Sequence, residues 1–264
     1  MDLGIRGKTA LVAAASDGLG KAVALRLAAE GAHVVICARN EARIQAALRE
    51  IKLASPDVKT EGFVTDLASA GDIDKLGEQI SDRQLSIDIL VNNAGGPPPG
   101  LFEDMEDSQW QQAFDLTMMS AVRMTRLVLA DMRARRWGRI INIASYSVKQ
   151  PMAEMVLSNS IRMSVVGWAK TLSNEVASEG ITVNTVCPGW TRTGRVDQLL
   201  QARARSSGVG QEEIERTLLA AIPSKRIGEV NELADVVAFL ASKNASYVTG
   251  TTLPVDGGAV SAAM

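Results

Sequence analysis

Apolar residues along this chain fall in short unbroken runs, separated by longer stretches where they recur every three or four positions. The runs at 9–13, 33–37, 58–64, 87–91, 139–144, 181–187 and 251–255 read as strands. The stretch 19–30 reads as a helix, with Val23, Leu27 and Ala28 on one side, and 41–53, 108–135, 152–178 and 231–241 read likewise. Strands that are apolar nearly throughout, alternating with helices, predict a parallel sheet covered on both faces. The predicted class is α/β, a single domain over residues 1–264 with a doubly wound parallel sheet. No linker divides it, because Gly95-Gly96-Pro97-Pro98-Pro99-Gly100 follows directly on a strand and reads as a stiff site loop.

Composition narrows the function classes. At 264 residues the chain suits one α/β domain and is long enough to bury both faces of a sheet. A net charge of −2 gives no reason to expect nucleic acid or an anionic membrane as partner. The N-terminus has no apolar signal core, and no apolar run approaches the ~20 residues that span a bilayer. Cys37 and Cys187 sit in strand-like runs and read as buried free thiols, which suits a reducing, cytoplasmic setting. A single histidine, His33, and two distant cysteines argue against a metal site.

The first strand leads into Leu11-Val12-Ala13-Ala14-Ala15-Ser16-Asp17-Gly18-Leu19-Gly20, which opens the first helix. Gly18 and Gly20 would let the backbone approach a pyrophosphate, and the helix N-terminus would supply N–H donors. At the end of the second strand a carboxylate would hold a ribose 2′-hydroxyl and favour NAD. Here Ala38 takes that place, followed by Arg39 and Asn40. An Arg meets a 2′-phosphate with bidentate, charge-assisted bonds. NADP(H) is therefore expected in preference, with NAD(H) possible. The other reading of Arg39 is a solvated surface charge.

Further segments recur at later strand ends: Asp66 after Val64-Thr65, Asn92-Asn93-Ala94-Gly95, and Pro188-Gly189-Trp190-Thr191-Arg192-Thr193. Leu253-Pro254-Val255-Asp256-Gly257-Gly258 closes the series. In this order, over nearly the whole chain, they resemble the short-chain dehydrogenase/reductase family. The resemblance implies a Rossmann-like fold and a nicotinamide dinucleotide. It places Ala14, Ser16, Asp17, Gly18, Leu19 and Gly20 on the phosphates, and Arg39, Asn40, Asp66 and Leu67 on the adenosine. It places Asn93, Ala94, Gly95, Pro188, Gly189, Thr191 and Thr193 along the rest of the cofactor, with Arg162 at the nicotinamide ribose. The family's glycine segment is usually Thr-Gly-x-x-x-Gly-x-Gly, whereas Ala13 and Ala14 stand in this chain for Thr-Gly. Asp17 is a counter-signal, since NADP-using relatives often carry a basic residue there.

The family reduces carbonyls with four groups: a Ser on the carbonyl oxygen, a Tyr proton donor, a Lys that activates it, and an Asn that holds a relay water. Ser145 matches the Ser. Thirteen residues on, the Tyr position holds Ser158, and the Lys position holds Arg162. A count back from Gly167 meets the same residue. Thr117 stands for the Asn. An aliphatic hydroxyl is a far weaker acid than a phenol, and a guanidinium releases no proton at neutral pH. Arg162 keeps a cation one helical turn from Ser158. Tyr146, next to Ser145, is either a displaced proton donor or a substrate-contact or packing tyrosine, and Lys149 is either its activator or a surface lysine.

By the same resemblance residues 194–222 form a substrate lid. Arg192, Arg195, Arg203 and Arg205 against Asp197 suggest an anionic small-molecule substrate, such as a carboxylate or a phosphopantetheine-linked acyl group. A solvated lid helix explains them equally. Met118-Met119 and Met152 with Met155 read as pocket wall, core or subunit interface. A homotetramer or homodimer is implied by resemblance. Two functions follow. One is an atypical NADPH-dependent oxidoreductase, 3-oxoacyl-[acyl-carrier-protein] reductase-like, that reduces a carbonyl or a conjugated enone. The alternative is a catalytically silent NADP(H)-binding sensor or partner subunit.

Overall fold

Alternate residues of a strand point to opposite faces, and here both sets are apolar, so the sheet needs cover on both sides. The computed structural model describes residues 1–262, apart from the side chains of Arg195, Ala202 and Ser206. Its strands are β1 (Thr9–Ala13), β2 (His33–Ala38), β3 (Thr60–Val64), β4 (Ile89–Asn92), β5 (Gly138–Ile143), β6 (Ile181–Pro188) and β7 (Thr252–Val255). They form one parallel sheet in the order β3-β2-β1-β4-β5-β6-β7. The helices are α1 (Gly18–Ala29), α2 (Glu41–Ala54), α3 (Ala70–Asp82), α4 (Asp107–Phe114), α5 (Ser120–Arg135), α6 (Val156–Val176), α7 (Gly194–Ser207), α8 (Gln211–Ala221) and α9 (Val230–Ala241).

Strand alternation sorts the core into two layers. Val12, Val34, Ile36, Ile89 and Val91 pack against α1, α2 and α9. Leu11, Val35, Cys37, Leu90, Ile140 and Val183 pack against α3, α5 and α6. The fold is thus the doubly wound single domain that the pattern predicts, and it is Rossmann-like as the resemblance implies. Both cysteines are buried and free, and burial pushes the Cys37 thiol up to about 12 and Cys187 up to about 11. Among the described residues no helix is long and apolar enough to cross a membrane.

Three elements differ from the sequence expectation. Helix α3 is not among those predicted, because Gly71, Gly77 and a run of polar residues dilute its period. Ile73, Leu76 and Ile80 nonetheless keep helical spacing and are buried, and the Ser69 hydroxyl accepts from the Asp72 N–H at 3.2 Å to cap it. The stretch 108–135 is not one regular helix: a single π-helical turn, Asp115–Met119, joins α4 to α5 and carries Thr117. Such turns favour functional sites. Finally, α6 begins at Val156, four residues later than expected. Glu154 has φ +58°, and its carbonyl accepts from the Gly100 N–H at 2.7 Å, so the chain here is tied to the 95–100 loop instead of the helix.

The β1–α1 turn is built by close approach. Ala14, where a glycine is expected, adopts φ +47°, which costs an L-residue about 1–2 kcal/mol. Gly20 fits beneath it: a Cβ there would lie 2.5 Å from the Ala14 carbonyl oxygen and 2.8 Å from the Asn93 amide nitrogen. Backbone cannot yield as a flexible side chain does. Gly20→Ala should therefore destabilise the fold by about 1–3 kcal/mol, read as a fall in the denaturation midpoint. An unchanged midpoint would show that the turn relaxes freely.

Candidate active site

Chain order reverses between β1 and β4, and an open α/β sheet binds ligands outside the strand ends at such a point. Two adjoining hollows lie there, of about 540 Å³ and about 570 Å³. Ala14, Asp17, Arg43 and Gly95 line both.

The outer hollow gathers Ser16, Arg39, Asn40, Asp66 and Leu67 from the ends of β1, β2 and β3. Asn40 caps α2, its side-chain oxygen accepting from the Arg43 N–H at 2.9 Å. Asp66 accepts from the Ala68 N–H at 3.0 Å, which fixes its carboxylate in a local turn. The Asn93 amide donates to the carbonyls of Ala13 at 3.2 Å and Ala14 at 3.3 Å, tying the end of β4 to the β1 turn. Gly20 does not line either hollow, and its part is the packing described above.

The main cleft brings together Gly18, Leu19, Asn93, Ala94, Ser145, Tyr146, Ser158, Arg162, Pro188, Gly189, Thr191 and Thr193. Ser145 follows β5 in extended conformation and accepts from the Ser147 N–H at 3.1 Å, which leaves its own hydroxyl hydrogen for donation. Ser158 is buried in the first turn of α6. Arg162, only 8% exposed, donates from Nη1 to the carbonyls of Ile143 at 3.1 Å and Ala144 at 2.8 Å. A charge so buried must be hydrogen-bonded, and these bonds fasten α6 to the end of β5.

Thr117 does not reach the cleft. It lines a separate cavity of about 20 Å³ with Asn92, Asn142 and Arg162, so Arg162 stands between the two spaces. Thr117 Oγ1, Asn92 Oδ1 and Asn142 Nδ2 are buried there without a protein hydrogen-bond partner. A space of this size and polarity suits one water.

Tyr146 is half-buried, and its hydroxyl accepts from the Trp190 indole N–H at 3.0 Å. Burial pushes the phenol above its ordinary value, against smaller lowering by the Trp190 bond and the Arg203 guanidinium. Arg203 lies over the Trp190 ring at 5.3 Å. The cation acting on Tyr146 is thus Arg203, and Lys149 acts instead on Cys187.

Trp190, Val196, Leu200, Ile222 and Ile227 form a small apolar cluster that joins α7 and α8 to the cleft, with Tyr146 and Met152 packed against it. Met152, Met155, Trp190, Val196 and Leu199 give the cleft an apolar wall, whereas Met118 and Met119 lie in the π turn and do not line it. Of the arginines expected to greet an anion, Arg203 is the one set over Trp190. Arg192 faces Glu215 at 3.5 Å and Glu229 at 3.8 Å, Arg205 is exposed, and the Arg195 side chain lies outside the described residues. Sequence reasoning passed over Arg43 and Trp190. Arg43 was legible as the residue one turn into the helix that Asn40 caps, while the role of Trp190 needed the packing of α7 and α8 against it.

The family model described as enoyl-(acyl carrier protein) reductase matches residues 13–260. The 3-oxoacyl-[acyl-carrier-protein] reductase of Vibrio cholerae is 35% identical, over 97% of this chain and 98% of its own. The D-beta-hydroxybutyrate dehydrogenase of Cupriavidus necator is 33% identical, over 96% and 98%. Among solved structures, L-sorbose reductase from Gluconobacter frateurii, complexed with NADPH and L-sorbose, superimposes with a TM-score of 0.94 at 33% identity, covering 99% and 100% of the chains. The NADPH-dependent reductase of bacilysin biosynthesis gives 0.92 at 29% identity, covering 97% and 99%. The chain belongs to the short-chain dehydrogenase/reductase family, whose members are nicotinamide-dependent oxidoreductases. Within it the chain is similar to the 3-oxoacyl-[acyl-carrier-protein] reductases.

With burial pushing its phenol above the ordinary value, Tyr146 should not titrate in the working range. Tyr146→Phe should leave the pH–rate profile unchanged between about pH 6 and pH 9. It should also cost about 1–2 kcal/mol of stability by stranding the Trp190 N–H. An inflection in that window that vanished in the variant would identify Tyr146 as a displaced donor.

Proposed function

We propose that this protein is an atypical NADPH-dependent oxidoreductase that reduces a conjugated enone, with no phenolic acid at the carbonyl. The observation that carries the reading is the cleft's chemistry at Ser145, Ser158 and Arg162: a hydroxyl free to donate beside an alcohol and a guanidinium that cannot protonate an alkoxide.

The residues present fit a nicotinamide dinucleotide. Glycine at 18 and the start of α1 suit a pyrophosphate, while Ser16, Arg39, Asn40, Asp66 and Leu67 suit the adenosine half. Asn93, Ala94, Gly95, Pro188, Gly189, Thr191 and Thr193 would hold the remainder. When bound, the reduced nicotinamide supplies a hydride equivalent. Reduction at the far carbon of an enone shifts negative charge onto oxygen. Ser145 would stabilise that charge by hydrogen bonding, and its acceptor role toward Ser147 holds it in place. Protonation at carbon then needs only water. Ser158 would border the oxygen without titrating, and Arg162 would contribute a fixed positive field.

Residues 194–222 would act as the substrate lid, closing an apolar wall of Met152, Met155, Trp190, Val196 and Leu199. That wall suits a compact apolar body. A carboxylate or phosphopantetheine tail would have to meet its cations beyond it. The buried free thiols support a cytoplasmic setting. Exposed Phe114 and Met163 on α4 and α6, and Phe239 and Leu253 on α9 and β7, support assembly as a homodimer or homotetramer.

A second reading is a silent NADP(H)-binding sensor or partner subunit. It is favoured by the Arg162 guanidinium being turned onto the backbone carbonyls of Ile143 and Ala144.

A panel of enones and 3-oxoacyl thioesters, followed by NADPH consumption, separates the two. Enone turnover is expected, with Ser145→Ala lowering kcat by about 10²–10³-fold. NADPH binding with no turnover of any compound would establish the silent reading. The combined Ser158→Tyr, Arg162→Lys and Thr117→Asn variant should gain reduction of 3-oxoacyl thioesters, since it restores the acid and its activator. If the unaltered protein already reduced these thioesters as fast as enones, the missing acid would not be limiting and the proposal would fall.

A further inference from the structure

We infer that Arg43 is a second determinant of cofactor choice, paired with Asp17 until a 2′-phosphate draws it away; this rests on the proposed NADP(H) site. Arg43 sits in the first turn of α2, with its N–H held by the Asn40 cap. Side chains on a helix lean toward its N-terminus, which here faces the hollows. Arg43 accordingly lines both of them, whereas Arg39 lines the outer one.

The charge arrangement gives Arg43 its role. Asp17 caps α1, its Oδ1 accepting from the Gly18 N–H at 2.8 Å. That places a carboxylate where an approaching pyrophosphate needs positive potential. Arg43 Nη1 lies 3.9 Å from Asp17 Oδ2, and the two side chains are 68% and 72% exposed. A pair so exposed is weak and screened, so it is easily exchanged. Of the other carboxylates nearby, Glu41 accepts from the Gln45 amide at 2.8 Å and Asp66 is bonded to Ala68 N–H, so neither competes strongly for the guanidinium. A dianionic 2′-phosphate beside Arg39 would offer Arg43 a bidentate, doubly charged partner. The 2′-hydroxyl of NAD offers none, and Arg43 then stays on Asp17. The acid at position 17, a counter-signal to NADP in the sequence, thereby becomes compatible with it.

The test is cofactor affinity, measured by calorimetry on the whole protein for NADPH and NADH separately. Arg43→Gln should raise the NADPH Kd by about tenfold, the loss of ~1.4 kcal/mol, and leave the NADH Kd within about twofold. Asp17→Asn should tighten NADPH more in the unaltered protein than in the Arg43→Gln background, because only where Arg43 is present does the carboxylate compete with the 2′-phosphate for it. Equal weakening of both cofactors by Arg43→Gln, or no weakening of either, would overturn the inference. If Arg39→Gln abolished discrimination while Arg43→Gln left it intact, Arg43 alone would be excluded. If the unaltered protein bound NADH as tightly as NADPH, the NADP(H) reading itself would fail.

Discussion

A buried guanidinium holds this site together. Arg162 enters the protein interior from α6 and meets the carbonyls of Ile143 and Ala144, where β5 ends. A charge in such a place would be very costly without hydrogen bonds, and breaking them would strand it. The contact therefore fixes how α6 lies on the sheet. Ser158 is one turn back on that helix, and Ser145 is one residue past Ala144, so a single bond pair sets both hydroxyls on the wall of one cleft. The same group partitions space. On one side is the cleft, and on the other a small chamber with Thr117, Asn92 and Asn142.

The rest of the architecture serves that cleft. A two-sided sheet buries apolar residues on both faces, and its strand order reverses between β1 and β4, which opens the crevice. Asn93 bonds the carbonyls of Ala13 and Ala14, so the left-handed residue that a glycine would adopt without strain is held from the neighbouring strand. Trp190 joins α7 and α8 to the cleft by donating to Tyr146 while Arg203 covers its ring. Tyr146 thus ties Trp190 to the segment after β5, and burial makes its phenol less acidic.

Much of this was legible in the chain because it depends on local pattern. Continuous apolar runs gave all seven strands, and most residues of the strand-end segments line the two hollows. What was not legible depends on tertiary contact. Helix α3 has too few apolar residues to announce itself, yet Ile73, Leu76 and Ile80 suffice once the sheet is beside them. The late start of α6 comes from a hydrogen bond between Gly100 and Glu154, far apart in sequence. The inward turn of Arg162, the setting of Thr117 in a separate chamber and the pairing of Arg192 with Glu215 and Glu229 follow from packing alone. The residues at 117, 158 and 162 could be named from the sequence. Where their side chains would go could not.

We propose that the protein adds hydride to carbon remote from oxygen, because Ser145, Ser158 and Arg162 offer no strong acid beside the oxygen. The most direct measurement is the position of label in the product of an enone reduced with deuterated NADPH, read by NMR. The account predicts deuterium on the far carbon of the former double bond, and a solvent-derived proton on the carbon next to the carbonyl. Deuterium on the carbon that bears oxygen, in an allylic alcohol, would contradict it.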